Sequence, residues 1–309
     1  MKRRLSLCLL ISILLCGCSS VEPFQRIHLT RWGTTWDGPT DFERAVDEDT
    51  EVECSVEYTF ARSFYLYRIT PRKLTMEDAR AFAAALGVTL EINAIQDWEN
   101  RDPNGVVRLR KNILEFEKPA VGAGGELPDD ETLIRKTEEL LKALPTVGEA
   151  YVCTDIRAGV QGGTGIPIKS LVMNRVVDGL PVSDEDRCVV YYAAEGLISL
   201  KISLYDYEKT GESLPMLTLA DALKQATDPE DPDAFDLHDA QALTSPADVL
   251  EFDKVTLLYY NQWSNGCDIL QPVFVLEGYA KNGQEKVKLT FRVIAIAQRF
   301  TFESIPTGE

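Results

Sequence analysis

Residues 269–297 read ILQPVFVLEGYAKNGQEKVKLTFRVIAIA. Two runs rich in branched and aromatic residues, Ile269–Tyr279 and Val287–Ala297, flank Asn282-Gly283. Asn and Gly tolerate the positive φ angles of a type I′ turn, so the stretch predicts a β-hairpin. Hairpins join antiparallel neighbours, whereas parallel neighbours need a crossover of a dozen residues or more. Working back along the chain, Val255–Tyr260, Leu197–Tyr205, Arg187–Tyr192, Ile168–Val177 and Ala150–Ile156 have the same β-rich character. Earlier still, the apolar positions of Val56–Phe60 and Phe64–Ile69 read as strand. Val88–Ile95 and Val106–Phe116 follow, joined by the turn Asp102-Pro103-Asn104-Gly105.

Helices interrupt these strands three times. Thr75-Met76-Glu77-Asp78 has the spacing of a capping box, in which a hydroxyl and an acid three residues on satisfy free backbone N–H groups. Ala79, Phe82, Ala83 and Leu86 then share one face, and Gly87 ends the helix. A second helix starts at Asp129/Asp130, carries the stripe Leu133, Thr137, Leu140, Leu141 and Leu144, and stops at Pro145. A third opens with Thr218-Leu219-Ala220-Asp221, repeating the first pattern. Helix followed by hairpin-linked strands disfavours a βαβ dinucleotide fold. The expectation is an α+β fold of antiparallel sheets, each covered by a helix. Its parts are a segment 18–53 read as tether and lead-in, an N-terminal unit 54–120, and a C-terminal region 126–309, divisible into 126–210 and 211–309. Val121–Gly125, between Pro119 and Pro128, is the expected linker.

The chain of 309 residues carries 32 basic and 49 acidic side chains, a formal charge of −17. That balance argues against nucleic acid and against an anionic lipid surface as partners, since both require clustered Lys and Arg. Lys2, Arg3 and Arg4 precede an apolar run from Leu5 to Cys16, shorter than the ~20 residues that span a bilayer and matched to an export signal. The run ends in Leu15-Cys16-Gly17-Cys18, which resembles a bacterial lipobox and implies a diacylglyceryl thioether on Cys18. Residues 1–17 are then a signal peptide. Their removal takes three positive charges and no negative ones, leaving −20 on the mature chain. So acidic a body needs lipid to stay at the membrane, and two or more acyl chains hold firmly. The expected location is the extracytoplasmic face of the cell membrane. In a host with two membranes, Ser19 after the cysteine favours the outer one.

Of seven cysteines, Cys8 and Cys16 leave with the signal and Cys18 is acylated. Cys54, Cys153, Cys188 and Cys267 remain; they allow up to two disulfides, or pack as free thiols. None forms the close pair that a zinc ribbon or finger needs. No metal or other cofactor is expected. His28 and His238 are the only histidines, and neither Gly-x-Ser-x-Gly nor His-Glu-x-x-His occurs. The run Gly159–Gly165 lacks the Lys-Ser/Thr that makes a phosphate loop, because Ile166-Pro167 follow it, and it reads as a loop between strands. The acidic stretch Asp228–Asp239 fits no EF-hand register, and its prolines mark an exposed loop. Trp32, Trp36, Trp98 and Trp263 do not converge on one sugar cleft. No catalytic residue emerges.

Met173–Val182, with Asp178-Gly179-Leu180-Pro181-Val182 at its end, then Cys188–Tyr192 and Glu195-Gly196-Leu197-Ile198, resembles a PepSY-type module. That family, similar to metallopeptidase propeptide domains, runs one strand into a Gly-Leu-Pro-Val turn and flanks a short x-Gly turn with two more. Val255–Tyr260 followed by Leu270–Gly278 resembles membrane-anchored regulators of a cell-wall sensor kinase, the YycH and YycI type. The resemblance implies PepSY-like units in a non-catalytic exported protein that binds an envelope protein or peptide, as regulator or peptidase inhibitor. The competing expectation is a lipid-anchored hydrolase of envelope polymers that uses paired carboxylates.

Overall fold

The computed structural model describes residues 24–25, 49–56, 63–89, 98–118, 125–144, 147, 150–161, 164–184, 186–226, 234–237, 246–262, 266–296 and 301–302. In chain order these residues form β1 (Phe24–Gln25), β2 (Glu51–Cys54), β3 (Ser63–Pro71), α1 (Met76–Ala85), β4 (Trp98–Asp102), β5 (Gly105–Arg110) and β6 (Ile113–Glu117). Next come α2 (Asp130–Ala143), β7 (Tyr151–Val160), β8 (Pro167–Val177), β9 (Leu180–Asp184), β10 (Arg187–Ala193), β11 (Gly196–Ser203) and β12 (Tyr205–Pro215). The last are α3 (Leu219–Ala226), β13 (Ala234–Leu237), β14 (Val249–Asn261), β15 (Ile269–Asn282), β16 (Glu285–Ile294) and β17 (Thr301–Phe302).

Helix α1 starts as its sequence dictates. The Thr75 hydroxyl accepts the Asp78 N–H at 3.2 Å, and the Asp78 carboxylate accepts the Thr75 N–H at 2.7 Å. Ala79, Phe82 and Ala83 are buried, and Gly87 turns the chain out at φ +70°. Helix α2 buries Leu133, Thr137 and Leu141. Thr137 is tolerated inside because its hydroxyl bonds the Leu133 carbonyl at 2.8 Å and the Tyr192 hydroxyl at 2.9 Å. At Thr218 the hydroxyl again accepts the N–H three residues on, at 3.1 Å.

The hairpins form largely where turn chemistry placed them. β8 and β9 are joined at Asp178 (φ +47°) and Gly179 (φ +80°), the two positive angles that a type I′ turn requires. Between β15 and β16 the pattern shifts by one residue. Asn282 stays in the ladder opposite Glu285, and only Gly283 takes positive φ, so this is not the expected I′ pair. Val106–Phe116 is two strands, because Lys111 (φ +50°) and Asn112 turn the chain back on itself. Of the strand expected over Val88–Ile95, residues 88–89 are irregular and 90–97 lie outside the described residues. β1 falls inside the segment read as tether, β2 runs across its end at residue 53, and residues 121–124 of the expected linker lie outside the described residues.

The expected α+β fold, with antiparallel PepSY-like sheets each covered by its own helix, is overturned. Fifteen strands join one mixed sheet, accompanied by three helices among the described residues. The main path runs β12-β3-β15-β14-β9-β8-β10-β11-β6-β5-β4, with β2, β7, β13 and β16 attached beside it. Separate hairpins are stitched together by pairings distant in sequence: β6 with β11, β3 with β12 and β15, and β9 in parallel with β14. Local turn and cap signals carry no information about such pairings.

Three clusters form the interior. One packs α1 and α2 on the helix-facing side of β5, β6, β8, β10 and β11, through Phe82, Leu114, Leu133, Leu171 and Val190. Another, around Phe252, Phe274 and Phe291, is covered by α3. Between them a third cluster, with Phe64, Tyr67, Val182, Tyr259 and Val273, forms the seam where β3, β9, β14 and β15 meet.

Candidate functional site

The half-sheet β7-β8-β10-β11-β6-β5 has two unlike faces, and its register separates them. Pairing across the strands aligns Ile156, Leu171, Val190, Leu200, Phe116 and Val107 in one row, and Cys153, Met173, Cys188, Ile202, Leu114 and Leu109 in the next. Both rows lie under α1 and α2. One residue along each strand, the side chains point the other way. There the rows are Arg157–Ser170–Tyr191–Ser199–Glu117–Val106 and Asp155–Val172–Val189–Lys201–Glu115–Arg108. None of these twelve residues is buried. No element among the described residues covers this face.

At one end of the open face is a groove of about 510 Å³ lined by Val106, Val160, Ile168, Tyr191 and Ile198, with Glu117 and Lys118 at its border. Val160 is 66% exposed and Tyr191 36%. Val152, 40% exposed, belongs to the same side, next to Asn174. Three of the four large exposed hydrophobic residues among the described residues therefore sit on β7 or on this face; the fourth is Tyr65.

The charge of the face runs against that of the chain. Among the described side chains of these six strands and their ends, Arg108, Lys118, Arg157, Lys201, Arg110 and Arg187 stand against Glu115, Glu117 and Asp155. Each acid is engaged: Glu117 with Arg108 at 2.6 Å, Glu115 with Lys201 at 3.4 Å and Asp155 with Arg157 at 2.7 Å. A surplus of three positive charges remains on a protein whose net charge is −17. What this arrangement offers chemically is a flat apolar strip with a cationic margin.

A second polar group lies buried at the seam. Tyr207 donates to Asp186 Oδ2 at 2.7 Å and accepts from Asn261 Nδ2 at 3.0 Å, while the Arg175 guanidinium stacks 4.6 Å over the Tyr207 ring. Arg175 also lies 3.6 Å from Asp186 and donates to the Tyr205 carbonyl. Burial and then the adjacent Asp186 carboxylate push the Tyr207 phenol well above its ordinary range. The group ties β8, β12 and β14 to the residue preceding β10.

Sequence-flagged residues do not gather into one site. Cys18, His28, His238, Trp32, Trp36 and Trp263 lie outside the described residues. Cys54, Cys153, Cys188 and Cys267 are free thiols. Cys54 packs on the α3 cluster, Cys267 lies in the seam, and Cys153 and Cys188 share the helix-facing core. Those last two flank Met173 in one row, two strand spacings or roughly 10 Å apart, beyond the ~7 Å reach of a disulfide. Burial pushes the Cys188 thiol up strongly and Cys153 less so, so both are poor nucleophiles. Gly159 and Val160 of the glycine-rich run end β7, and the turn that follows leads into β8. Of the acidic stretch, only residues 234–237 are described, as β13.

The open face escapes sequence reading because its residues come singly from six strands, two positions apart. The only available signal is alternation, for instance Arg108, Arg110, Glu115 and Glu117 between apolar neighbours. The chain matches no family model, and comparison with curated proteins and with solved structures finds none detectably similar to it.

Proposed function

We propose that the protein is an exported lipoprotein, held at the extracytoplasmic face of the membrane by lipid on Cys18, that binds a protein or peptide partner at the cell envelope. The observation that carries the binding half of this reading is the six-stranded face that no element among the described residues covers. A sheet backed by two helices is rigid, and an exposed apolar strip rimmed by charge is the usual form of a protein-binding surface.

The anchoring half rests on the N-terminal sequence. No helix among the described residues is long and apolar enough to cross a membrane. Phe24–Gln25 pairs in parallel with Thr301–Phe302. Five residues, Ser19 to Pro23, separate Cys18 from that ladder. Fully extended, this span reaches about 20 Å. A lipid on Cys18 would therefore keep the β1–β17 ladder within about 20 Å of the bilayer.

Two measurements test the reading. Cys18→Ser should move the protein from the membrane fraction to the soluble one, and unchanged retention refutes the lipid anchor. Affinity purification from crosslinked native membranes should recover one protein stoichiometrically with the wild type. Failure to recover any, across solubilisation conditions that keep the protein folded, refutes the binding role.

A further inference from the structure

We propose that the partner contributes an extended, acidic peptide segment, which adds as a strand to the outer edge of β7 and lays a bulky apolar side chain in the groove beside Tyr191. The proposal rests on the partner-binding reading above and specifies its site and ligand chemistry.

The edge is the first argument. Among the described residues β7 pairs only with β8, so the outward backbone N–H and C=O groups of a ten-residue strand face away from the sheet. Such an edge is a template for another strand unless it is blunted. β7 has no proline and no lysine, and its one bulge, between Cys153 and Asp155, leaves Asp155–Val160 in unbroken register with β8. Six residues suffice for strand addition, which draws affinity from main-chain bonds and specificity from pockets for alternate side chains.

The groove supplies the pocket. It lies at the Val160 end of β7, and Gly159 pairs with Ile168 on its wall. A Cβ built on Gly159 meets no atom within 4 Å, so the side of the strand next to the groove stands open. An apolar side chain arriving there covers Val160, Ile168 and Tyr191, which are otherwise wet.

Charge selects the segment. The face carries three surplus cations, and its exposed Arg157–Asp155 pair is of the kind that contributes little by itself. Arg157 can therefore turn to a partner carboxylate at small cost, with Lys118 at the opposite border of the groove. An acidic segment gains on this face what the −17 body denies it elsewhere, and like-charge repulsion from that body steers it there.

The test places a photo-crosslinking benzoylphenylalanine at Ala158, exposed on β7, and separately at Tyr65, exposed on β3, in the full-length protein in its own cells. Ala158 should capture a protein whose crosslinked segment, mapped by mass spectrometry, carries net negative charge and a large apolar residue. Adding Gly159→Phe, at a position where a Cβ meets no atom within 4 Å, should lower the yield at least tenfold while the melting temperature stays unchanged. Lys118→Glu with Arg157→Glu should lower it about tenfold. Capture from Tyr65 but not from Ala158 overturns this site and leaves the binding role standing. Absence of protein capture from both positions, together with no partner in the purification above, removes both. A basic or neutral segment, a non-protein polymer, or a yield indifferent to Gly159→Phe overturns the proposal.

Discussion

Asp186 is fully buried, with Tyr207 donating to it and Arg175 3.6 Å away. A charge that deep is tolerable only because it is paired, and removing a partner leaves the other charge without compensation. Asp186→Ala should therefore cost about 3–5 kcal/mol in urea unfolding. Tyr207→Phe keeps the ring beneath Arg175 but deletes the hydroxyl that Asp186 and Asn261 share, and should cost about 1–3 kcal/mol. The order of the two losses is the discriminating result. If Tyr207→Phe proved the more damaging, the hydrogen bonds of the phenol rather than the pairing of the buried charges would hold the seam. Nothing at these positions in the sequence announces the cluster. Arg175 and Asp186 are brought together by the pairing of β8 with β10, and Asn261 joins them only through the parallel pairing of β9 with β14.

Strands β14 and β15 show an element set by a single missing side chain. Gly278 lies opposite Phe252, beside the bulge between Phe252 and Lys254. A Cβ at Gly278 would stand 2.0 Å from the Glu251 carbonyl oxygen, a backbone atom that cannot move aside. Gly278→Ala should destabilise the fold by about 1–3 kcal/mol, through displacement of the bulge, and thermal melts read the loss directly. A neutral substitution would mean that the two strands separate there more easily than their packing implies. The same pair illustrates what the sequence made legible. Branched and aromatic alternation marked Ile269–Tyr279 and Val287–Ala297 as strands, and both helix caps at Thr75 and Thr218 lie where hydroxyl and acid are spaced to make them. β12 escaped notice because Glu208, Lys209, Gly211 and Ser213 are poor strand formers, held in place by pairing with β3 at the sheet margin. Sheet assembly escaped for a different reason: a hairpin is specified by its turn, whereas β6 finding β11 is specified only by the shared apolar row that the two build under α1 and α2.

At the scale of the whole molecule, the seam determines whether the two halves of the sheet act as one body, and it is rich in tyrosine. Tyr67 and Tyr259 meet edge to face, with ring centroids 5.9 Å apart, and Tyr207 packs against the same cluster. Burial is the main cause that raises all three phenols above their ordinary value of 10.0, with the Asp178 carboxylate adding to it at Tyr67 and Tyr259 and Asp186 at Tyr207. In the unfolded chain these phenols lose their protons near pH 10, whereas in the folded protein they keep them to higher pH. Above pH 10 the folded state then binds more protons than the unfolded state, so stability falls as pH rises. Each tyrosine in this condition contributes a slope of about 1.4 kcal/mol per pH unit, fully absent below the unfolded value. Urea midpoints should consequently be flat in this contribution up to about pH 9.5 and decline steeply beyond it. Lysine ion pairs also weaken in that range, and variants separate the two effects. The double variant Tyr67→Phe and Tyr259→Phe should be less stable at neutral pH, since it loses the hydrogen bonds to Asp178 and to the Tyr65 carbonyl. Its alkaline slope should nevertheless be shallower than that of the wild type. A parallel decline in both proteins would place the alkaline weakness on the surface charges rather than on the seam that joins the two halves of the sheet.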